Sequence, residues 1–255
     1  LNDNQGADAD YTKAIQVSRE GSYFLAHSYT RRGMLRYKKL MDYQGALSDF
    51  NRALESKRKD TMIVYHPRGS VKLQLGDYKG AISDLNKAVE WGESEKVRPR
   101  QLHEAYNNRG IAKGRLGDEK GAFNDYSMAI AINPEYAESY NNRGISRSHL
   151  GDMQGAVNDY NQALILDPRN SNAYRNRGVI RLRLNDPQGA IIDLNKALTL
   201  NPRDARAYVN RGTARFRIGD SRGTCRDYKH ALSLVDQISR KQRQQIASSL
   251  PRVCN

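Results

Sequence analysis

The sequence predicts an all-α fold: a solenoid of stacked helix-turn-helix units. Three observations lead there. An Arg-Gly pair recurs, and its last four copies, Arg109-Gly110, Arg143-Gly144, Arg177-Gly178 and Arg211-Gly212, are 34 residues apart. Each copy lies in a stretch whose small and apolar residues recur at helical spacing, followed by a short turn and a second such stretch. The 255 residues are also polar, with 38% hydrophobic residues and a mean hydropathy of −0.81. One compact core of this size would be greasier, and 15 Tyr with regularly placed Ala, Leu and Ile oppose disorder. An elongated fold with much surface per residue fits both facts.

The elements follow in chain order. Residues 6–17, with Gly6-Ala7 and Asp10-Tyr11, read as the second helix of a repeat whose first helix is missing. Six full repeats follow, at about 23–57, 61–95, 103–136, 137–170, 171–204 and 205–236. The first two carry Arg32-Gly33 and Arg68-Gly69, spaced 36 and then 41 from the next copy, so small insertions fall between them. Every Arg-Gly glycine has a Tyr four residues before it: Tyr29, Tyr65, Tyr106, Tyr140, Tyr174 and Tyr208. A second motif marks the second helix: Gly45-Ala46, Gly80-Ala81, Gly121-Ala122, Gly155-Ala156 and Gly189-Ala190, with Gly223-Thr224 in the sixth. An Asp and an aromatic or Leu follow, as in Asp125-Tyr126 and Asp193-Leu194, and then an Ala such as Ala129 or Ala163. Between the helices, Leu116-Gly117-Asp118 supplies a left-handed C-cap and an N-cap. Pro187 after Asp186 takes the favoured first helical position. Asn133-Pro134, Asp167-Pro168 and Asn201-Pro202 stop three second helices. The 92–102 stretch is expected to lengthen one inter-repeat loop, and Pro67 to kink or shorten its helix. Trp91 falls where Ile132, Leu166, Leu200 and Leu234 fall elsewhere, and so reads as a core wedge. The polar segment Ile238 to Leu250, within residues 237–255, reads as a capping helix and tail closing the 1–236 solenoid.

Enzyme motifs are absent: no Gly-rich phosphate loop, no Gly-x-Ser-x-Gly, no His-Glu-x-x-His. His27, His66, His103, His149 and His230 lie in different repeats without metal-ligand spacing, so neither cofactor nor metal is expected and the chain reads as a non-enzyme. No run of about 18 apolar residues is present to span a bilayer. The chain begins Leu1-Asn2 without an initiator Met, as a processed or trimmed product does. Two cysteines, Cys225 and Cys254, exclude a four-Cys zinc site but allow one bridge.

An Arg and an Asp co-repeat: Arg32, Arg68, Arg109, Arg143, Arg177 and Arg211, with Asp49, Asp84, Asp125, Asp159, Asp193 and Asp227 following 17 residues later in the first unit and 16 in the others. Such a ladder suggests phosphate binding, but charges at fixed offset on paired helices meet more readily as internal, partly buried ion pairs. Arg143 and Arg177 are therefore expected to be paired.

The pattern of aromatic, Gly, Ala, aromatic, Ala and Pro at a 34-residue period resembles the tetratricopeptide repeat (TPR) family over almost the whole chain. The Tyr-x-Asn-Arg-Gly repeat style looks like bacterial, especially cyanobacterial-type, members. The resemblance implies a right-handed α-solenoid whose first helices line a concave groove that docks protein segments. Carried over residue by residue, the groove would hold Glu104, Asn107, Ile111 and Arg115 in the third repeat, and Glu138, Asn141, Ile145 and His149 in the fourth. The fifth would add Asn172, Arg175, Val179, Leu182 and Arg183, and the sixth Arg206, Val209, Thr213, Phe216 and Arg217. The N-terminal part would hold His27, Thr30, Met34, Tyr37, Lys38, Ile63, His66, Ser70, Leu73 and Gln74. Its centre is amide-rich and mildly acidic, and its C-terminal end basic. The Lys, Asn and Arg set with which chaperone-binding members clamp a C-terminal carboxylate is not reproduced: the residue three before the glycine is never Lys, and the residue one after it is never Asn.

The net charge is +14, from 42 basic and 28 acidic residues. Arg203 to Arg252 holds 12 Lys and Arg against 4 Asp, a field that favours acidic partners. The leading expectation is a scaffold or assembly factor that takes an acidic or amide-rich protein or peptide partner. The alternatives are an RNA-binding helical repeat, a self-assembling solenoid, and peripheral contact with an anionic membrane. By repeat alignment Cys225 matches Phe123, Val157 and Ile191, which should face the next unit, here the capping helix, and Pro251 should turn the chain back to bring Cys254 to it. The competing reading is a buried Cys225 and an unrelated, exposed Cys254. A bridge would imply a periplasm or lumen, and free thiols the cytoplasm.

Overall fold

The computed structural model describes residues 3–55, 63–94, 99–234 and 240–254. These residues are helical apart from short turns and fall into two compact units, Leu1–Pro134 and Glu135–Asn255. Each is a stack of helix pairs, here called A helix then B helix.

The first unit opens with a lone B helix, α1 (Asn4–Val17), packed on α2 (Tyr23–Leu35). Its pairs are α2 with α3 (Tyr43–Glu55), α4 (Tyr65–Gln74) with α5 (Tyr78–Ser94), and α6 (Pro99–Arg115) with α7 (Glu119–Ile132). The second unit pairs α8 (Ala137–His149) with α9 (Met153–Leu166), α10 (Ser171–Arg183) with α11 (Pro187–Leu200), and α12 (Ala205–Arg217) with α13 (Ser221–Ser233). It ends in α14 (Arg240–Val253), which packs on α13.

The repeated residues account for these elements. Every B helix starts on an Asp whose carboxylate accepts the N–H of a glycine three residues on, at 2.7–2.9 Å. That glycine leaves room for the cap: a Cβ on Gly155 would lie 2.0 Å from a carboxylate oxygen of Asp152 and push the capping side chain aside. The Arg-Gly glycine has a different task. Gly144 meets the ring of Tyr160 on the partner helix, and a Cβ there would approach Cε1 to 2.8 Å. The buried Ala residues, such as Ala122, Ala156 and Ala190, let A and B helices close on one another, with Phe50, Leu85, Tyr126, Tyr160 and Leu194 filling the seams.

Several local features differ from expectation. The extra residue between Arg32 and Asp49 is absorbed in a π-helical turn, Arg36–Leu40, as single-residue insertions in helices often are. Met41 then takes the left-handed position, φ +56°, that Gly76, Gly117, Gly151 and Gly219 hold in other turns. Pro67 shortens its helix: α4 spans 10 residues and begins at Tyr65, so Pro67 falls in the first turn, where no intrahelical N–H bond is lost. The expected 92–102 loop is mostly helix. α5 and α6 each run to 17 residues, Gly92 is buried against Leu102, and the Tyr106 hydroxyl donates to Glu93 across the pair. Residues 95–98 lie outside the described residues, and Trp91 is half-buried on α5. The capping helix continues through Pro251 instead of ending before it. The backbone hydrogen bonding resumes beyond the proline, where the Cys254 N–H donates to the Leu250 carbonyl at 2.9 Å.

The cap does what the polar terminal helix implies. Ile246 is buried with Ala205 in a cluster that includes Val209, Tyr228 and Leu232. Cys225 and Cys254 form a disulfide with Cα atoms 5.2 Å apart, closing a separation of 29 residues. No helix among the described residues is long and apolar enough to cross a membrane.

Candidate functional site

The charged ladder is structural in all six repeats. Each ladder Arg donates Nε and Nη2 to the two oxygens of its Asp at 2.6–3.0 Å, a bidentate fork. The Asp side chains are only 2–4% exposed. The remaining Nη1 reaches the preceding B helix in five repeats: Thr12, Asn51, Asn86, Asn161 and Asn195 accept at 2.7–2.9 Å. The Arg also lies over the Tyr three residues before it, from 5.0 Å (Arg109 over Tyr106) to 5.7 Å (Arg32 over Tyr29) from the ring centroid. One side chain thus ties its own A helix, its own B helix and the preceding B helix.

A second cation, four residues after the ladder Arg, completes each carboxylate. Arg36, Lys72, Lys113, Arg147, Arg181 and Arg215 approach the Asp at 2.8–3.3 Å. In the last three repeats the same cation also lies 3.6–3.8 Å from the capping Asp of the B helix: Asp152, Asp186 and Asp220. There, two cations and two carboxylates close on themselves. The excess positive charge of the second unit therefore resides on other side chains.

In the first unit the A-helix face is polar and largely knitted to itself. Glu104 and Ile111 are half-buried and Arg115 is exposed, whereas Asn107 is fully buried and offers nothing to a partner. Asn108 donates to Ser70 at 3.0 Å and lies 3.5 Å from the His66 ring. Packing around the His66 imidazole, with Lys38 and His103 adding positive charge, lowers it to about 4, so it is neutral at physiological pH. Burial and the Glu93 carboxylate push the Tyr106 hydroxyl up to about 12. Of the N-terminal set, His27, Lys38, Ile63 and Gln74 are exposed, Ser70 is buried, and Thr30, Met34, Tyr37 and Leu73 lie between.

The second unit carries the more open and more basic face. Glu138, His149, Asn172, Arg183, Arg206, Phe216 and Arg217 are exposed, while Asn141, Ile145, Val179, Val209 and Thr213 form a half-buried floor. Leu182 is buried in the core cluster with Ala190 and Leu194, which removes it from the accessible set. Arg175 is also spoken for: its Nη1 lies 2.6 Å from Asp204, the N-cap of α12. The two Arg residues five after the glycine behave differently. Arg183 donates to Ser148 of the preceding A helix at 3.2 Å, and Arg217 donates to the Leu182 carbonyl. Each is thereby oriented by one N–H while staying exposed. Phe216, 58% exposed, stands beside Arg217 in sequence and on this face.

Sequence reading missed the second cation, the Asn108 and Asn176 rungs, and Asp204. Asn176 donates to Asn141 at 3.2 Å. The signal was available for two of these: an Asn precedes Arg-Gly in four repeats, and a basic residue follows the ladder Arg by four in all six.

Residues 141–205 match a sequence model of the tetratricopeptide repeat, and residues 64–93 match a second model of the same repeat. No curated protein matches the chain. Among solved structures, a chain of the APC/C hetero-tetramer Cut9–Hcn1 superposes with a TM-score of 0.76 at 16% identity, covering 99% of this chain and 46% of that one. A tetratricopeptide repeat protein from Parabacteroides merdae ATCC 43184 gives 0.68 at 19% identity, covering 99% and 93%. YrrB, described as a TPR protein with an unusual peptide-binding site, gives 0.58 at 22% identity, covering 77% and 95%. Residues 64–93 and 141–205 are thus matched as tetratricopeptide repeats, and the chain as a whole shares the helix-pair fold of these solved structures.

Proposed function

We propose that the chain is a non-enzymatic scaffold, or assembly factor, that holds an extended acidic segment of a partner protein against the A-helix face of residues 135–255. The observation that carries this reading is the exposed trio Arg183, Phe216 and Arg217, with Arg206 on the same helix as the last two. Two guanidinium groups are each held by one internal hydrogen bond and keep other donors for a carboxylate. Phe216 offers the apolar contact that charge alone lacks. The half-buried amides Asn141 and Asn176 add groups suited to an extended backbone. The fold is one that holds peptides in YrrB, by that protein's description. The Cys225–Cys254 bridge supports an oxidising compartment, a periplasm or lumen, as the working site.

Fluorescence anisotropy with acidic, neutral and basic peptides, each with and without an aromatic residue, tests this. Acidic aromatic peptides should bind best, and an Arg183→Glu/Arg217→Glu double variant should stay folded and lose them, because repulsion replaces attraction. Arg175 is left intact, since its loss would unpair Asp204. Equal binding of all peptides by the wild type and the double variant would remove the site from this face.

A further inference from the structure

The two terminal helices carry a second set of exposed cations, none of them among the A-helix residues described above. On α13, Arg222, Arg226 and Lys229 are exposed and spaced i, i+4, i+7, within about 60° of one another around the helix. They stand opposite the buried side that holds Thr224, Asp227 and Ala231. On α14, Arg240 and Arg243 are exposed, and this helix is joined to α13 through Cys254 just beyond its C-terminal end. Cys225 sits between Arg222 and Arg226. The disulfide therefore ties together, at one seam, the two helices that bear these cations. None of the five forms an ion pair among the described residues. Neither helix offers an exposed carboxylate: α14 contains none, and Asp227 of α13 is 3% exposed within the ladder.

We propose that this seam is a docking face for a membrane surface rich in anionic phospholipid, held by charge with little insertion. Four of the five cations are Arg, whose planar fork matches a phosphate bidentately. Among the described residues of α13 and α14 no aromatic or large aliphatic side chain is exposed: Tyr228 and Leu232 pack into the cluster around Ile246. A single strand of nucleic acid would want stacking platforms between the cations, and a peptide would want an apolar anchor and a groove. Exposed cations carried by two bridged helices match an extended sheet of phosphates. The disulfide in the same seam points the same way. Bridges persist in oxidising compartments, where nucleic acid is scarce and anionic leaflets are at hand. This inference shares the oxidising-compartment reading of the proposed function but uses none of the residues assigned there to the peptide.

The test is co-sedimentation of the full, oxidised chain with vesicles of phosphatidylcholine alone or mixed with phosphatidylglycerol. Binding should require phosphatidylglycerol and weaken steeply with salt. Arg222→Glu/Arg226→Glu/Lys229→Glu should reduce it by roughly a hundredfold or more, and the milder Arg222→Gln/Arg226→Gln by an intermediate factor, which serves if the triple variant misfolds. Arg183→Glu/Arg217→Glu should leave vesicle binding largely intact. The proposal falls if the wild type ignores phosphatidylglycerol, if both seam variants bind vesicles as wild type does, or if binding is lost only in the Arg183→Glu/Arg217→Glu protein. A mixed-sequence RNA shift that the seam variants abolish, without vesicle binding by the wild type, would reassign the seam to nucleic acid.

Discussion

Replacing Asp193 with Ala would remove the acceptor at the centre of one ladder rung and leave its donors in place. Asp193 accepts from Arg177 Nε at 2.9 Å and Nη2 at 2.6 Å, and Arg181 Nη1 lies 2.9 Å away. The carboxylate is 2% exposed, while the two Arg side chains are 15% and 27% exposed. Breaking a buried pair by deleting one partner costs about 3–5 kcal/mol, because the surviving charge stays desolvated. Here both survivors reach some water, Arg181 keeps Asp186 at 3.8 Å, and Arg177 keeps Asn161 at 2.7 Å, so the lower end, about 3 kcal/mol, is expected. Urea unfolding followed by circular dichroism measures it, with fluorescence as a second probe, since repeat arrays need not unfold in a single step. A double-mutant cycle with Arg177→Met separates the pair from its surroundings: the double variant should be destabilised by less than the sum of the singles, by about 1 kcal/mol or more. A loss below about 1 kcal/mol in Asp193→Ala, or strict additivity, would refute the view that the rung is a desolvated unit.

Three further outcomes rest on single contacts elsewhere in the repeats. Gly144→Leu should destabilise by about 1–3 kcal/mol or more in thermal melts, since its Cβ alone meets the Tyr160 ring at 2.8 Å. Reduction, or Cys225→Ser, should raise hydrogen exchange in α14 first and lower stability by about 3–4 kcal/mol if the chain-entropy account holds for a 29-residue separation. His66, lowered from 6.5 to about 4 in the folded chain, takes up its proton more readily when unfolded. Its contribution is therefore full above about pH 6.5 and lost as pH falls toward 4, by about 3 kcal/mol at most, and a pH series of urea midpoints should flatten in His66→Asn.

What the sequence disclosed was what the repeat multiplied. The caps, the helix pairing, the six Arg–Asp rungs and the bridge between Cys225 and Cys254 all rest on residues that recur, or on a position that recurrence defines. The helical extension on either side of residues 95–98 was hidden because Gly92 and Pro99 read locally as breaks, whereas Gly92 is packed against Leu102, a contact ten residues on. Arg175 was read as open because its partner does not recur. The A-helix N-cap is Tyr136 in α8, Asn170 in α10 and Asp204 in α12, and only the last carries a carboxylate to form an ion pair.

The same contrast separates fold from function. Residues that must meet in every repeat are nearly fixed: Arg, then Asp 16 residues on, then a cation four after the Arg. Five residues after the glycine the six repeats carry Lys38, Gln74, Arg115, His149, Arg183 and Arg217, six positions in one structural role with four side-chain types. Nothing in the packing demands that these be basic, and each was free to be chosen by what lies beyond the surface. The terminal helices follow the same logic. α14 needs Ile246 inward to seal the last repeat, but sealing does not require Arg240 and Arg243, nor Arg222 and Arg226 on the helix it covers. Cations that no internal contact explains, on a chain whose ladder charges largely neutralise one another, are the residues on which an external anion would act.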